Sequence, residues 1–355
     1  MNPRIRKLLR NGESLGIDAV VISSLTSIRY LTGFTGSNGA CLLNAQHNYF
    51  ITDFRYQEQV KQQIEGFSII IDPDPPLQQI IDRKIISRTK KIGFEDKTIS
   101  YQDYARLLSY FPKNNLVPLG DSIINLSSVK DKEELEYLTK AVAITDDVFH
   151  YLLTIVKPGI REIEISAEIS CQIKKRGGER DAFEPIVASG QRAALPHGIS
   201  SLKQLQAGEL VILDFGAVYR GYHGDLTRTV ILGEPTRRQK EIYKTVLEAQ
   251  ETAISQARSG ISGARLDSVA RKVIQQRGFG EFFGHGLGHG LGLEIHEAPR
   301  LAKTNKVSLK VGNVVTIEPG IYIPEFGGVR IEDDVVIEKN GCKNLTHAPK
   351  ELIVL

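Results

Sequence analysis

The stretch ELVILDFGAVYRGYHGDLTRTVIL, residues 209–232, decides how the second half of the chain folds. Its first part, LVILDFG, is a continuous apolar run, which predicts a strand buried on both faces with Asp214 inside it. A turn-rich segment follows, and a second predicted strand carries Asp225. A buried carboxylate costs free energy unless it is paired or binds a metal. The aspartates are therefore either structural acids, for example paired with Arg228, or a site in which a hairpin brings Asp214 and Asp225 side by side.

Two later segments place acids in similar positions. NVVTIEPG (313–320) ends an apolar strand with Glu318, directly before a Pro-Gly turn. GGVRIEDDVVIE (327–338) contains a predicted strand at 329–337, in which period-two alternation puts Arg330, Glu332 and Asp334 on the same face. The pattern alone leaves open whether Glu332 or Asp334 joins the aspartates.

The stretch GHGLGHGLGLEIHE, residues 284–297, supplies His285, His289 and His296 on a glycine-rich backbone. One imidazole with four carboxylates suits a pair of divalent metal ions such as Mn²⁺, Co²⁺ or Zn²⁺. The other two histidines would then be free for substrate contacts or proton transfer. Competing motifs are absent, since HEAPR (296–300) is not H-E-x-x-H and no G-x-G-x-x-G, G-x-S-x-G or Walker A sequence occurs.

The remaining chain predicts two domains. In residues 1–125, the apolar runs 18–23, 40–44, 49–52, 67–71 and 91–95 alternate with helical patterns, one capped by Ser100, which indicates an α/β domain. In residues 126–355, helical patterns at 132–156, 161–176, 236–258 and 263–277 interleave with hairpin-like strands at 209–216, 222–231, 314–318 and 329–337, which indicates an α+β domain. The junction is predicted near residue 125, with Asp131 or Ser128 capping the first helix of the second domain.

Composition narrows the function classes. The net charge of +3 over 355 residues gives no reason to expect a nucleic-acid or anionic-membrane partner. The three cysteines are far apart, which fits a reducing compartment, and neither a signal peptide nor a run of about 20 apolar residues occurs. We expect a cytoplasmic protein.

Five motifs in order resemble the Xaa-Pro peptidases, the aminopeptidase P and prolidase group of pita-bread metallopeptidases. They are FEPIVASGQRAALPHG, LDFGAVYRGYHGDLTRT, FGHGLGHGLGLEIHE, TIEPGIYIPEFGGVRIEDD and LTHAPKELIVL, while IRYLTGFTGSNGA and ITDFRY resemble the group's N-terminal domain. The resemblance implies a creatinase-like α/β domain over 1–125 and a pita-bread catalytic domain over 126–355. It implies as ligands of two divalent ions, with Mn²⁺ preferred to Co²⁺ or Zn²⁺, the residues Asp214, Asp225, His289, Glu318 and Glu332. It also implies a homodimer.

The same resemblance implies hydrolysis of the bond before a proline in proline-containing peptides. His197, His285 and His296 would position the substrate and support charge at the scissile carbonyl, and Glu318 would also carry a proton to the leaving nitrogen. Candidate substrate-binding residues are Arg300, Arg330, Phe183, Tyr222 and Tyr322.

Substrate length stays open at this point. Arg300 suits the carboxylate of a dipeptide, as in a prolidase, but aminopeptidase P relatives can also carry an arginine there. We expect an Xaa-Pro aminopeptidase, with an Xaa-Pro dipeptidase as the alternative. A non-catalytic pita-bread binding module is more remote, because none of the five ligand positions is substituted.

Overall fold

The computed structural model describes residues 2–355, and the chain divides after Ser127 into two units, Met1–Ser127 and Ser128–Leu355. The sequence predicts this junction near residue 125. Among the described residues, no helix combines the length and the hydropathy that crossing a bilayer requires.

The N-terminal unit is built on one mixed sheet. Its strands are β1 (Ala19–Ile22), β2 (Ala40–Asn44), β3 (Asn48–Thr52), β4 (Ser68–Ile71), β5 (Ile92–Phe94) and β6 (Leu116–Pro118). They lie in the order β4-β3-β2-β1-β5-β6, and β1 pairs antiparallel with β2 and parallel with β5. All four residues of β1 are buried, as expected for an apolar strand covered on both faces.

Six helices accompany this sheet: α1 (Pro3–Ser14), α2 (Leu25–Thr32), α3 (Gln57–Gln63), α4 (Pro76–Asp82), α5 (Tyr101–Tyr110) and α6 (Ser122–Ser127). Ser100 caps α5 as predicted, because its side chain accepts from the backbone N–H of Asp103. The helix predicted after β3 begins as a 3₁₀ turn, Phe54–Tyr56, before α3. The predicted α/β class of the first domain is confirmed.

Four long helices of the C-terminal unit lie where the sequence predicts them: α7 (Lys132–Ile155), α8 (Glu162–Lys175), α9 (Arg237–Gln256) and α10 (Gly263–Gln276). The start of α7 is a capping box, in which the Asp131 side chain accepts from the N–H of Glu134 and the Glu134 side chain accepts from the N–H of Asp131. Asp131, and not Ser128, is therefore the cap.

Fourteen short strands complete this unit: β7 (Arg180–Asp181), β8 (Ile186–Ser189), β9 (Leu210–Phe215), β10 (Ala217–Tyr219), β11 (Tyr222–His223), β12 (Leu226–Ile231), β13 (Gly288–Gly290), β14 (Glu297–Leu301), β15 (Val314–Ile317), β16 (Gly320–Ile323), β17 (Gly327–Arg330), β18 (Asp333–Ile337), β19 (Cys342–Asn344) and β20 (Ile353–Val354). They form sheets in the orders β11-β10-β7, β20-β12-β9-β8, β14-β13-β15-β18-β19 and β16-β17. The α+β class of the second domain is confirmed.

Two apolar cores hold the helices on these sheets. In one, α7 and α8 pack against β8, β9 and β12 through residues such as Val148, Ile165 and Leu213. In the other, α9 and α10 pack against β15, β17 and β18 through residues such as Val246, Leu266 and Val335. The acids and histidines singled out in the sequence lie on strands of both cores or directly beside them, so both cores position the candidate site.

The hairpin of β9 to β12 depends on two glycines. A Cβ added at Gly224 would lie 2.9 Å from the backbone carbon of Ala141 in α7, and one added at Gly216 would lie 1.9 Å from the carbonyl oxygen of Gly224. No side chain fits at either position, because backbone occupies the space on both sides. The hairpin can therefore press against α7 directly in front of Asp225.

Candidate metal centre and active site

Five residues from five separate segments line one pocket of about 390 Å³. They are Asp214 in β9, Asp225 directly before β12, His289 in β13, Glu318 directly after β15 and Glu332 between β17 and β18. All five candidate metal ligands are thus brought together, although 118 positions of chain separate Asp214 from Glu332 (332 − 214).

The ligand atoms are close enough to share a cation. The nearest ligand atoms of Asp225, His289 and Glu332 all lie within 4.8 Å of one another. His289 Nε2 lies 3.8 Å from Asp225 Oδ2 and 3.3 Å from Glu318 Oε1. Two buried carboxylate oxygens, Asp225 Oδ1 and Glu332 Oε1, have no hydrogen-bond partner. A divalent cation would give both oxygens a partner, so the residues present fit such an ion.

Burial and mutual repulsion oppose ionisation of these carboxyl groups. Burial raises the pKa of Asp225 well above its ordinary value, and the neighbouring Glu332 and Asp214 raise it further. Burial, with Glu318 and Asp214, does the same to the pKa of Glu332. Burial raises the pKa of Glu318 to about 7, although the Arg330 guanidinium acts in the opposite direction. A bound divalent cation would relieve this cost, because its charge would favour the ionised form of each carboxyl group.

His289 is arranged as a neutral ligand. Its Nδ1 lies 3.1 Å from the carbonyl oxygen of Gly290, and because a carbonyl only accepts, Nδ1 carries the proton. Nε2 is then the unprotonated nitrogen that faces Asp225 and Glu318. Burial, and next the neighbouring His296, lower the pKa of His289 to about 4, so the imidazole is neutral near pH 7, as metal coordination requires.

The chain holds the acids through their backbone and through nearby hydroxyls. The N–H of Asp225 donates to Asp334 Oδ2 over 2.9 Å. Thr227 Oγ1 donates to Glu332 Oε2 over 2.5 Å, and the N–H of Glu332 donates to the carbonyl oxygen of Thr227 over 3.1 Å. Thr227 and Asp334 therefore hold the candidate ligands in place. Sequence reasoning missed Thr227, whose only signal is its position on the inward face of the Asp225 hairpin.

Glu332 does not lie within a strand, and this corrects the prediction of one continuous strand over 329–337. The chain pairs with β16 up to Arg330 and with β15 from Asp333 onward, so it changes sheet at Ile331 and Glu332. Period-two alternation fails across such a change. Glu332 therefore points into the pocket, while Asp334 acts behind it by accepting from the N–H of Asp225.

Arg330 connects Asp214 with Tyr322, and through Tyr322 with His285. It donates to a carboxylate oxygen of Asp214 and, over 2.7 Å, to the hydroxyl oxygen of Tyr322. Tyr322 Oη also lies 2.9 Å from Nε2 of His285, whose Nδ1 lies 2.7 Å from the carbonyl oxygen of Gly286. Burial lowers the pKa of His285 to about 4. The imidazole is thus neutral and protonated on Nδ1, and its Nε2 accepts a hydrogen bond from the Tyr322 hydroxyl.

The mouth of the pocket carries basic side chains and an apolar wall. His197, His296 and Arg300 all line it, and His296 packs edge-on against His289 with 4.3 Å between ring centroids. Burial, followed by the nearby Arg300 and His197, lowers the pKa of His296. Within residues 2–355, no ion pair involves Arg300, so its guanidinium is available for an anionic ligand. Apolar contact comes from Phe183, Ile186, Pro196, Ile295 and Ala302.

Two predicted pocket walls are not where the sequence analysis expects them. Tyr222 is buried elsewhere, where its hydroxyl donates to Glu134 Oε1 over 3.1 Å and its ring packs on Tyr137. Tyr322 stands behind His285 and Arg330 and does not itself line the pocket. Both tyrosines carry a hydroxyl that needs a buried partner. Tyr222 finds it in Glu134, away from the cavity, whereas Tyr322 finds it in His285 and Arg330, which line the cavity. Phe183, His197, His285, His296, Arg300 and Arg330 do line the pocket.

Comparison with known proteins supports the same organisation. The model of metallopeptidase family M24 matches residues 136–339, and that of the creatinase/prolidase N-terminal domain matches residues 4–127. An Xaa-Pro dipeptidase of Pyrococcus furiosus is 37% identical over 358 residues, which cover 99% of this chain and 100% of that protein. The predicted creatinase-like domain followed by a pita-bread domain is confirmed.

Two solved structures are also close. The structure of an Xaa-Pro dipeptidase from Bacillus anthracis superposes with a TM-score of 0.95 at 40% identity, covering 99% of each chain. The structure of an X-Pro aminopeptidase from Thermotoga maritima gives a TM-score of 0.90 at 38% identity, covering 98% of this chain and 100% of that one.

Proposed function

The chain belongs to metallopeptidase family M24, and on that premise we propose that it is an Xaa-Pro dipeptidase, which hydrolyses the bond between an N-terminal residue and a C-terminal proline. The resemblance to the Xaa-Pro peptidases is confirmed. The comparisons favour the dipeptidase over the aminopeptidase that the sequence analysis expects, because the named relatives are mainly Xaa-Pro dipeptidases.

The observation that carries the proposal is the free guanidinium of Arg300 at the mouth of the pocket. Among the described residues it has no acidic partner, and it shares the pocket with the candidate metal ligands. A dipeptide presents its terminal carboxylate one residue beyond the scissile bond, and a guanidinium is the side chain best suited to bind it. A longer peptide has no carboxylate at that place.

We further propose that Asp214, Asp225, His289, Glu318 and Glu332 hold two divalent ions, with Mn²⁺ preferred to Co²⁺ or Zn²⁺. Such ions would supply Lewis-acid polarisation of the scissile carbonyl and a lowered pKa for water. Support comes from the orphaned buried oxygens of Asp225 and Glu332 and from the neutral, inward-facing Nε2 of His289.

The remaining roles belong to the protein's own side chains. Glu318 lines the pocket and would carry a proton to the leaving proline nitrogen, and Thr316 Oγ1 orients it by donating to Oε1 over 3.1 Å. His197, His285 and His296 line the pocket where a substrate carbonyl and amine would lie. Phe183 and Ile295 offer apolar contact for the proline ring. These contacts orient the peptide before any bond changes.

The test is one assay with two substrates, Ala-Pro and Ala-Pro-Ala, on Mn²⁺-loaded protein with an Asp225→Asn control. Preference for Ala-Pro supports the dipeptidase. Preference for Ala-Pro-Ala would establish the second candidate, an Xaa-Pro aminopeptidase, which the Thermotoga maritima likeness favours. Cleavage of neither peptide with Mn²⁺, Co²⁺ or Zn²⁺ would refute both. The homodimer stays a prediction, which sedimentation of the purified protein would test.

A further inference from the structure

The glycine-rich segment in front of His289 is gripped by a pair of charged side chains on α10. We name residues 283–287 the clamped segment and the pair Asp267 and Arg271 the clamp. The carboxylate of Asp267 is 1% exposed, and the guanidinium of Arg271 donates to both of its oxygens, over 2.9 and 3.0 Å. The pair is therefore bidentate and almost dry, the strongest form of such a contact.

Three hydrogen bonds run from the clamp to the backbone of the clamped segment. Arg271 donates over 2.7 Å to the carbonyl oxygen of Phe283 and over 2.7 Å to that of His285. The N–H of Leu287 donates to Asp267 Oδ1 over 3.1 Å. The guanidinium also lies over the ring of Phe283, 4.1 Å from its centroid. Backbone on both sides of Gly286 is thus fixed by side chains of a rigid helix.

The clamped segment needs this support because its own sequence provides little. Gly284 and Gly286 carry no packing surface, and glycine loses more conformational freedom on ordering than any other residue. A Cβ added at Gly284 would meet nothing within 4 Å, so no close packing holds the chain there. Elsewhere in the segment, Phe283 and Leu287 are buried in an apolar core, and a Cβ added at Gly286 would lie 2.8 Å from the carbonyl oxygen of Leu301. The clamp adds three hydrogen bonds to the backbone of this segment.

Two residues of the clamped segment, Leu287 and His285, connect the clamp to the pocket. The carbonyl oxygen of Leu287, whose N–H is held by Asp267, accepts from the N–H of Glu318 over 2.9 Å. His285, whose carbonyl is held by Arg271, bonds through Nε2 to Tyr322 and packs edge-on against Phe283 at 5.1 Å between centroids. A displaced segment would therefore move an imidazole and a carboxyl of the pocket together.

We propose that Arg271 and Asp267 are positioning residues for the peptidase reaction, which set the place of His285 and Glu318 without contacting the substrate. This inference rests on the proposed function. The clamp lies outside the pocket lining, and its bonds end on backbone atoms, so it acts through the segment that it holds.

The test compares Arg271→Lys with Arg277→Lys, a matched control on the same helix end. Arg277 donates to Glu248 over 2.6 Å and is 52% exposed, and within residues 2–355 no hydrogen bond or ion pair joins its side chain to the clamped segment. Lysine at 271 keeps the charge but cannot serve two carboxylate oxygens and two carbonyls at once. We expect kcat for Ala-Pro to fall by about ten- to a hundredfold with KM within about threefold of wild type, since small misplacements of reacting groups cost up to about a hundredfold. Arg277→Lys should retain wild-type kinetics.

A second readout does not depend on activity. In hydrogen exchange of the metal-free proteins, the amide of Leu287 should exchange at least about tenfold faster in Arg271→Lys and at the wild-type rate in Arg277→Lys, because its bond to Asp267 Oδ1 loses its support. Both kinetics and exchange are measured far below the melting temperature, on protein whose circular dichroism matches wild type. If Arg271→Lys does not fold, Asp267→Asn takes its place with the same expectations.

The outcomes separate this inference from the proposed function. A wild-type exchange rate at the Leu287 amide of Arg271→Lys, or a wild-type kcat with that amide released, would overturn the positioning role. A fall in activity that follows the folded fraction alone would overturn it too. Failure of the wild-type enzyme to cleave Ala-Pro would instead refute the proposed function, while the exchange experiment would still report whether the clamp holds the segment.

Discussion

Replacement of Glu162 by glutamine tests how the pocket wall is held. Glu162 is fully buried at the start of α8, and its carboxylate accepts five hydrogen bonds. Oε1 accepts from the N–H and the hydroxyl of Ser189, both over 2.8 Å. Oε2 accepts from Arg192 Nε over 2.9 Å and from the N–H and hydroxyl of Ser201 over 3.1 and 2.6 Å. The loop between Ser189 and Ser201 carries His197 to the mouth of the pocket.

The magnitude follows from counting donors. A glutamine keeps one acceptor oxygen. That oxygen is best placed toward Arg192 and Ser201, because an NH₂ group in the same position would face the N–H donors of both residues. The NH₂ then faces Ser189, whose hydroxyl can still accept but whose buried N–H loses its partner, at about 1–3 kcal/mol. The contact with Arg192 also changes from an ion pair to a hydrogen bond between the guanidinium and a neutral amide, a loss of about 1 kcal/mol. We expect Glu162→Gln to lower the free energy of unfolding by about 2–4 kcal/mol.

The assay is thermal unfolding of metal-free protein, followed by calorimetry and far-UV circular dichroism, since the chain has no tryptophan. For a unit of this size, 1 kcal/mol corresponds to about 2–4 °C in Tm. Glu164→Gln is the matched control on the same helix. Glu164 is exposed, pairs with Arg161, which is itself 45% exposed, and a glutamine can still cap the helix there. We expect the control to change stability by less than about 0.5 kcal/mol.

The same substitution has a signed pH dependence. Burial by itself raises the pKa of Glu162, but the bonds from Ser201, Ser189 and Arg192 outweigh it and hold the pKa below its ordinary value. A lowered folded pKa stabilises the protein above the unfolded pKa, about 4.3, and that stabilisation is lost as the pH falls through the folded pKa. The difference between wild type and Glu162→Gln should therefore be constant near neutrality and shrink on acidification below about pH 4. A difference below about 0.5 kcal/mol at pH 7, or one that grows on acidification, would refute the reasoning.

Three further predictions concern the pocket itself. Arg300→Met should lower kcat/KM for Ala-Pro by about ten- to a hundredfold, because one charge-assisted contact to the substrate carboxylate is lost. Hydrolysis of Ala-Pro-Ala should stay nearly unchanged, and equal losses on both peptides would contradict the carboxylate role. Mn²⁺ at a hundred times its Kd should stabilise the wild type by about 2.7 kcal/mol, and Asp225→Asn should lose most of that shift in Tm. Gly288→Ala should abolish activity and lower Tm, because its Cβ would lie 2.1 Å from the carbonyl oxygen of Thr316, whereas Gly284→Ala, with open space, should leave Tm and kcat near wild type.

The regular parts of the fold could be predicted because periodicity and caps are local signals. The four long helices of the second unit and the cap Ser100 are predicted by apolar spacing and cap chemistry, whereas cap chemistry leaves Asp131 and Ser128 open for α7. The predicted single strand over 222–231 was wrong in detail: β11 ends at His223 and β12 begins at Leu226, with Gly224 pressed against α7 between them. Because α7 lies far from Gly224 in the sequence, the residues around Gly224 give no signal that predicts this contact.

The candidate site, like the fold, contains residues that local sequence signals predict and others that they do not. The acids could be found because a carboxylate inside an apolar run is costly, and that cost is visible in the sequence alone. Tyr222 and Tyr322 could not be placed, since an apolar ring with a hydroxyl fits a pocket wall and a buried network equally well. Residue type predicted which side chains matter, while the partners that hold them, such as Thr227 for Glu332, required the three-dimensional contacts.

Arg228 shows how a structural charge and a site can be confused in a sequence. In the sequence it lies close to Asp214 and Asp225, and an ion pair with one of them is the structural alternative to a metal site. In the structure its guanidinium donates to Asp333 Oδ1 over 2.7 Å and to the carbonyl oxygens of Ala348 and Pro349 over 2.8 and 2.9 Å, and a further bond reaches the carbonyl oxygen of Glu332. The buried guanidinium of Arg228 therefore binds Asp333, the backbone of Glu332 and the C-terminal tail, and none of the candidate metal-ligand carboxylates. Arg228 therefore does not pair with the carboxylates of the pocket, among which Asp214 pairs with Arg330, and a metal ion can still bind there.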